Sequence, residues 1–172
     1  MYCPAINSAI WIEQVKILEQ LQVSPSVVHI HPCDYEARTA ELIIKNPTLK
    51  LVTFKTRSTI SRYLTTKPIY GIIFPQQHIR VAVKLRKVDA HFRIRDDDEL
   101  CVYFSLIPTG KERYNPRLLW LSYIGVRIRK TVCLEYGDYI DSKIRKPMEW
   151  EIQKRKLEEM GESGSTTTDM SI

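Results

Sequence analysis

Apolar and basic residues alternate along three segments between residues 78 and 130. Successive side chains of a β-strand point to opposite faces, so this period of two predicts strands with one core-facing side and one basic side. The strands are expected at 78–88, at 90–95 and within 118–134. Together they predict an antiparallel sheet with a basic outer face, whose cationic residues are Arg80, Lys84, Arg86, Arg93, Arg95, Arg127 and Arg129.

Four further segments have strand character and are bounded by turn-forming residues. They are 27–31, 49–55, 69–74 and 100–107. The acidic triplet at 96–98 is expected to form a turn, because aspartate side chains bond to nearby backbone amides. Residues 58–64 are compatible with either a helical turn or a strand.

Three helices are predicted from capping residues and apolar spacing. The first covers about 8–22 and places Trp11 on its core-facing stripe. The second covers 35–45 and is stopped by an Asn-Pro pair. The third covers 146–160, with Pro147 in its first turn and acidic residues before basic ones, the order that the helix dipole favours.

These elements predict an α+β fold: a twisted antiparallel sheet with a basic outer face, packed by the N-terminal and middle helices, plus a C-terminal helix. Residues 1–145 are expected to form a single globular domain, since 172 residues with 44% hydrophobic content can bury a sizeable core. Residues 146–160 are expected to form the C-terminal helix. Residues 161–172 are expected to be a disordered tail, because they lack packing residues.

Charge is the feature that points to a partner. The formal net charge is +6, and residues 78–130 hold twelve Lys or Arg against six Asp or Glu. A sheet face of one sign is typical of proteins that bind polyanions, such as nucleic-acid phosphates or acidic lipid headgroups. The alternative is an ordinary solvated face, which antiparallel sheets with one side in water commonly have. The sequence leaves both interpretations open.

Motifs for catalysis and for metal or cofactor binding are missing from the sequence. It contains no P-loop, no GxGxxG and no nucleophile elbow, and its four cysteines lack the spacing of a zinc site. We therefore predict a non-enzymatic protein with no catalytic residue, no metal site and no cofactor. Its start lacks the basic region of a signal peptide and its apolar runs are shorter than a membrane span, which favours a reducing compartment inside the cell.

The segment Asp89–Leu100, DAHFRIRDDDEL, resembles the strand and following acidic turn of matrix proteins from negative-strand RNA viruses of the rhabdovirus type. The small basic matrix proteins of plant-infecting, cytorhabdovirus-like members are the most similar. The resemblance implies a structural protein of the virion that condenses the viral ribonucleoprotein, self-associates and contacts membrane. It also implies localisation in the virion and in the host cytoplasm, at the periphery of membranes.

Two functions are compatible with these observations. The first is a matrix-like protein that uses the seven basic residues to bind viral ribonucleoprotein or RNA and an acidic membrane surface during assembly. The second is a sequence-tolerant RNA-binding regulator, such as a viral silencing suppressor or movement factor, that uses the same residues. No RNA-reading aromatic motif frames them, so any RNA binding is expected to tolerate sequence changes.

Overall fold

The computed structural model of the protein describes residues 8–122 and 124–139. These residues contain two short helices and nine strands. The helices are α1 (Ser8–Glu19) and α2 (Pro116–Ser122). The strands are β1 (Gln22–Ser24), β2 (Val27–Ile30), β3 (Arg38–Lys45), β4 (Val52–Ser58), β5 (Leu64–Lys67), β6 (Tyr70–Ile73), β7 (His78–Leu85), β8 (Glu99–Leu106) and β9 (Ile128–Tyr136).

The strands form two sheets with a shared apolar core. The four-stranded sheet has the order β1-β3-β7-β5, and the five-stranded sheet has the order β2-β9-β8-β4-β6. Neighbouring strands are antiparallel except β2 and β9, which are parallel. The predicted α+β fold with one helix-packed sheet is therefore wrong, because the structure is a mainly-β sandwich of two sheets.

The alternation in β7 shows how the sequence builds this sandwich. Val81, Val83 and Leu85 are fully buried in the core, whereas Arg80 and Lys84 are exposed on the outer face. The strand predicted at 78–88 is confirmed. Burial of each such apolar side chain contributes roughly 1.5–3 kcal/mol to stability, which fixes the inward face of the strand and turns its basic residues outward.

Four other predicted strands are also present, with ends shifted by a few residues. The segments 27–31, 49–55, 69–74 and 100–107 correspond to β2, β4, β6 and β8. The segment 58–64, which was compatible with two structures, is mainly a turn that leads into β5. Strand β6 comes close to β4 because Gly71 lacks a side chain, since a Cβ atom there would lie only 2.3 Å from Cε1 of Phe54.

The predicted middle helix at 35–45 is wrong, because this segment contains strand β3. Leu42 and Ile44 are buried while Glu41 and Lys45 are exposed, which is the spacing of a strand. Strand β3 pairs along its whole length with β7, which lies more than thirty residues away in the sequence. This distant pairing overrides the local helical signal.

The predicted strand at 90–95 is also wrong, because this segment is a loop. The carboxylate of Asp89 accepts a hydrogen bond from the backbone N–H of His91, 2.9 Å away, which turns the chain. Phe92 is buried and packs edge-on against Tyr63 and Tyr136, with ring centroids 5.0 and 5.7 Å away. Phe92 therefore anchors the loop to the core and does not belong to a strand.

Helix α1 confirms the prediction of an N-terminal helix, although it ends at Glu19. Leu18 is fully buried, but Trp11 is half-exposed and does not lie in the core as predicted. The amino group of Lys130 donates to the carbonyl oxygen of Glu19 at 3.0 Å and to that of Leu21. This cation stabilises the C-terminal end of α1, where carbonyl groups lack helical partners.

Helix α2 replaces the first part of the strand predicted within 118–134. The side-chain oxygen of Asn115 accepts a hydrogen bond from the N–H of Arg117 at 2.9 Å, and Pro116 occupies the first helical position. Both are standard features of a helix start. The indole N–H of Trp120 donates to Thr53 Oγ1 at 3.1 Å, which attaches α2 to the five-stranded sheet.

The predicted C-terminal helix at 146–160, the tail at 161–172 and the domain boundary at 145 lie outside the described residues. Among the residues that are described, no helix has the length and apolar character needed to cross a bilayer.

Candidate functional site

The seven basic residues predicted to share one face lie on two sheets and a loop. Arg80 and Lys84 are on the outer face of β7, and Arg86 follows its end. Arg93 and Arg95 lie in the loop before β8, whereas Arg127 and Arg129 lie immediately before β9 and within it. All seven are exposed, but the predicted single basic sheet face is wrong, because β7 and β9 belong to different sheets.

Several of these cations interact with carboxylates or carbonyls of the same chain. Arg95 forms two hydrogen bonds to Asp97, at 2.9 and 2.8 Å, which raise the pKa of its guanidinium. A guanidinium nitrogen of Arg93 donates to the carbonyl oxygens of Ala90 and Phe92. These two arginines stabilise the loop that contains them, and both guanidinium groups already have hydrogen-bond partners there.

Three other cations have partners on the sheets or on helix α2. Arg80 lies 3.8 Å from Glu41, and Arg129 lies 3.8 Å from Glu99. The guanidinium of Arg127 lies 5.7 Å from the ring centroid of Trp120, a cation–π contact. Lys84 and Arg86 differ from the other five, because within 8–122 and 124–139 neither side chain forms an ion pair, a hydrogen bond or a cation–π contact.

Lys84 and Arg86 line a concave surface of about 780 Å³ that we call the basic groove. Its floor is the outer face of β5 and β7, and its walls are the β5–β6 connection and the start of α2. Four cations line it: Lys67, Lys84, Arg86 and Arg117. Its other lining residues are Thr39, Thr65, Thr66, Ile69, Tyr70, Ala82, Asn115 and Pro116.

The local sequence explains how each cation reaches the groove. Lys84 faces outward through the alternation of β7, where it stands opposite Thr65 of β5. Lys67 ends β5, opposite Ala82, and so lies on the same face. Arg117 is the second residue of α2, and its backbone is held by the cap residue Asn115. A strand pair and a helix start thereby bring these cations together.

The groove combines positive charge with apolar surface. Within the described part of the chain, none of its lining residues is acidic and none of its four cations is in an ion pair. Ile69 is about half-exposed, and Tyr70 and Pro116 are partly exposed beside it. The groove can therefore accept carboxylates at its rim and an apolar side chain on its wall.

A second concave surface lies on the outer face of the five-stranded sheet, where β4, β8 and β9 are adjacent. We call this cavity of about 300 Å³ the polar cleft, and it is lined by Arg57, Ser58, Thr59, Ser61, Glu99, Cys101, Tyr103 and Arg129. Its charge is mixed, because Glu99 lies near Arg129 and accepts a hydrogen bond from Cys101 Sγ at 3.2 Å. Burial and this contact raise the pKa of the Cys101 thiol, so the thiol is not poised as a nucleophile.

A smaller cavity of about 200 Å³, the edge slot, lies between the groove and the cleft. It shares Arg57, Ser58 and Ser61 with the polar cleft. It shares Thr65, Thr66 and Ile69 with the basic groove. The three concave surfaces therefore adjoin one another along the side of the sandwich where β4 of one sheet faces β5 of the other.

Sequence reasoning found Lys84 and Arg86 but missed Lys67 and Arg117. Arg117 could have been found from the Asn-Pro pair before it, which signals a helix start and places the next residue at the exposed first turn. Lys67 could not, because its face depends on the pairing of β5 with β7. Among the described residues, no cluster of three His, Cys, Asp or Glu side chains could hold a metal ion.

Comparisons with known proteins place this fold in a family. The model of the MSP (major sperm protein) domain matches residues 20–117, more than half of the chain. Among solved structures, WR4, an MSP family member of C. elegans, has a TM-score of 0.54 at 14% identity, covering 68% of this chain and 97% of WR4. SSP-19, an MSP-domain-like protein of Caenorhabditis elegans, has a TM-score of 0.50 at 12% identity, covering 66% of this chain and 97% of its own. The search of curated proteins found no match.

These findings overturn the viral assignment. The likeness of Asp89–Leu100 to a rhabdovirus matrix protein is wrong, since the segment is a loop and the start of β8 in an MSP-type sandwich. The matrix function, the viral regulator considered as its alternative and the virion localisation are wrong with it. Contact with RNA, with acidic membrane or with a second copy stays a prediction. MSP domains are generally non-catalytic binding domains. The chain belongs to the MSP domain family.

Proposed function

We propose that this MSP domain is a protein-binding module that holds an extended acidic segment of a partner protein in the basic groove. Domains of this family mediate protein–protein binding, typically at membranes, which supports a binding role over a catalytic one. The basic groove and its four cations indicate both the surface that binds and the acidic chemistry of the partner.

The observation that carries the proposal is the set of four cations that line one groove without a carboxylate from the described residues. Lys67 and Lys84 lie on adjacent strands, where like charges weaken a sheet. Carboxylates of a bound segment would relieve this repulsion. A volume of about 780 Å³ also lies in the range of roughly 300–1,000 Å³ that is typical of ligand sites.

The apolar part of the wall favours a peptide over a nucleic-acid backbone. Ile69 and Tyr70 offer aliphatic and aromatic surface beside the cations, and Ala82 on the floor leaves room for a side chain. An acidic segment with one large apolar side chain matches both features. A phosphate backbone would leave the apolar surface unused.

A peptide-binding measurement tests this proposal. Fluorescence anisotropy would compare labelled Glu-rich peptides that carry one Phe or Leu with basic peptides of the same length. The double substitution Lys84→Glu and Arg86→Glu should weaken binding of the acidic peptides by roughly tenfold or more, because charge-assisted contacts are worth about 1.5–3 kcal/mol when partly buried.

The matched control is Arg80→Glu. It lies on the same strand as Lys84 and has the same charge change as each single substitution of the pair, but it is outside the groove and already near Glu41. It should change affinity by less than about threefold, as expected for an exposed charge. Equal affinity of the double variant and the unchanged protein would overturn the proposal.

A further inference from the structure

We infer that the bound segment is bipartite: its acidic part occupies the basic groove, and an uncharged part rich in hydroxyl and amide side chains continues through the edge slot into the polar cleft. This inference rests on the proposed function and extends it to a second face of the sandwich. The occupant of all three cavities is a single extended chain of a partner protein.

Continuity of the surface is the first argument. The edge slot shares Ser61 with the polar cleft and Thr65 with the basic groove. A chain bound in one of these cavities therefore lies next to the following one. An extended chain advances about 3.3 Å per residue, and a segment of roughly a dozen residues could therefore follow the path from one face to the other.

The open edge of β5 is the second argument. Within the described sheets β5 pairs with β7 alone. The backbone N–H of Arg86 donates to the carbonyl of Tyr63 at 2.8 Å, and in an antiparallel pair alternate residues point their backbone groups toward the partner strand. The same alternation directs the N–H and C=O of Thr66 to the other side, where the slot lies. A passing strand could pair with them.

The charge of the cleft is the third argument and sets the composition of the segment. Arg57 and Arg129 are countered there by Glu99, which lies 3.8 Å from Arg129. A carboxylate of the partner would meet Glu99 in this confined space, whereas hydroxyl and amide groups can bond to Ser58 and Tyr103 as well as to the charged groups. The groove, by contrast, is lined by four cations and no carboxylate among the residues that the structure describes.

The test compares three synthetic peptides in the anisotropy assay. The short peptide is an acidic block of roughly eight residues with one Phe, a length that spans the groove alone. The two long peptides add a Ser/Thr/Gln block of the same length, either before or after the acidic block. One of the two long peptides should bind at least about tenfold more tightly than the short one, because a linked second contact acts at high effective concentration.

The variant Ser61→Trp should block the passage, since Ser61 is exposed and lines both slot and cleft. It should abolish the advantage of the long peptide and leave the affinity for the short peptide unchanged. Ser26→Trp, at an exposed serine that lines none of the three cavities, is the control and should change neither.

The outcomes separate the two claims. If long and short peptides bind equally and Ser61→Trp has no effect, the segment is confined to the groove; the inference fails and the proposed function stands. If the Lys84→Glu and Arg86→Glu pair leaves binding of the short peptide unchanged, the proposed function fails and the inference fails with it. If two separate short peptides bind groove and cleft without any gain from linkage, the single-chain occupant is ruled out.

Discussion

At the scale of single residues, a buried carboxylate connects three parts of the sandwich. Asp98, only 3% exposed, accepts hydrogen bonds from the hydroxyl of Tyr136 at 2.9 Å and from Thr59 Oγ1 at 3.3 Å. Thr59 also borders the polar cleft. A buried charge is tolerated only when hydrogen bonds satisfy it, so this cluster fixes the turn between the loop at 86–98 and β8.

We expect Tyr136→Phe to lower the free energy of unfolding by about 1–3 kcal/mol near neutral pH, because Asp98 loses a buried hydrogen bond. Burial and the contact with Asp98 raise the pKa of Tyr136 above its usual value of 10.0. The stabilisation is therefore fully present below about pH 10 and is lost as pH rises toward the folded-state pKa.

Urea unfolding at pH 8 and at pH 11 checks this prediction. The difference between the unchanged protein and Tyr136→Phe should be largest at pH 8 and smaller at pH 11. Tyr70→Phe is the control, since Tyr70 lies on the outer surface of β6 and its hydroxyl forms no hydrogen bond within the described residues. A constant difference at both pH values would contradict the proposed role of Tyr136.

At the scale of elements, the sequence predicted those whose signals are local. The alternation of residues in β7 and the capping residues before the N-terminal helix in the sequence were sufficient, because burial of one strand face and capping of a helix are properties of neighbouring residues. Strand β3 was mistaken for a helix because its stability comes from pairing with β7, and the loop at 90–95 was mistaken for a strand because Phe92 is buried without a sheet.

The candidate site was predictable only in part for the same reason. Lys84 and Arg86 were found because strand alternation turns them outward. Their grouping with Lys67 depends on which strands pair, and their separation from Arg129 depends on which sheet each strand joins. A period of two identifies an outward side chain, but it does not identify the sheet to which that side chain belongs.

The cap of α2 gives a prediction at this scale. Asn115→Ala should reduce stability by about 1 kcal/mol, because the N–H of Arg117 loses its acceptor. It should also weaken binding of the acidic peptide severalfold, since Arg117 and Pro116 form one wall of the basic groove. Circular dichroism melting and anisotropy report the two effects separately.

Asn115→Ser is the matched variant, because serine also caps helices and is uncharged. It should retain most of the stability and most of the affinity. If Asn115→Ala lowers stability while affinity stays unchanged, then α2 does not contribute its wall to the binding surface.

At the scale of the whole molecule, the basic residues differ in whether they are paired with carboxylates. Several arginines are neutralised where they stand, as Arg95 is by Asp97, whereas the basic groove keeps four cations without ion pairs among the described residues. The net charge of +6 adds a field that extends beyond the groove. Long-range attraction should accelerate the encounter with an acidic partner, and groove contacts should set how long the complex lasts.

Association kinetics distinguish these two contributions. Lys45→Glu changes the net charge from +6 to +4, by removing one positive and adding one negative charge, at a site six residues along β3 from Thr39 of the groove. We expect this variant to slow association with the acidic peptide at about 0.01 M salt, where the Debye length is about 30 Å, and to have little effect at about 0.15 M, where it is about 8 Å.

The double variant Lys84→Glu and Arg86→Glu should speed dissociation at both salt concentrations, because its lost contacts are direct. Stopped-flow anisotropy measures both rates. If Lys45→Glu instead speeds dissociation at both salt concentrations, the bound segment extends beyond the groove along the four-stranded sheet, and the path toward β4 is the wrong one.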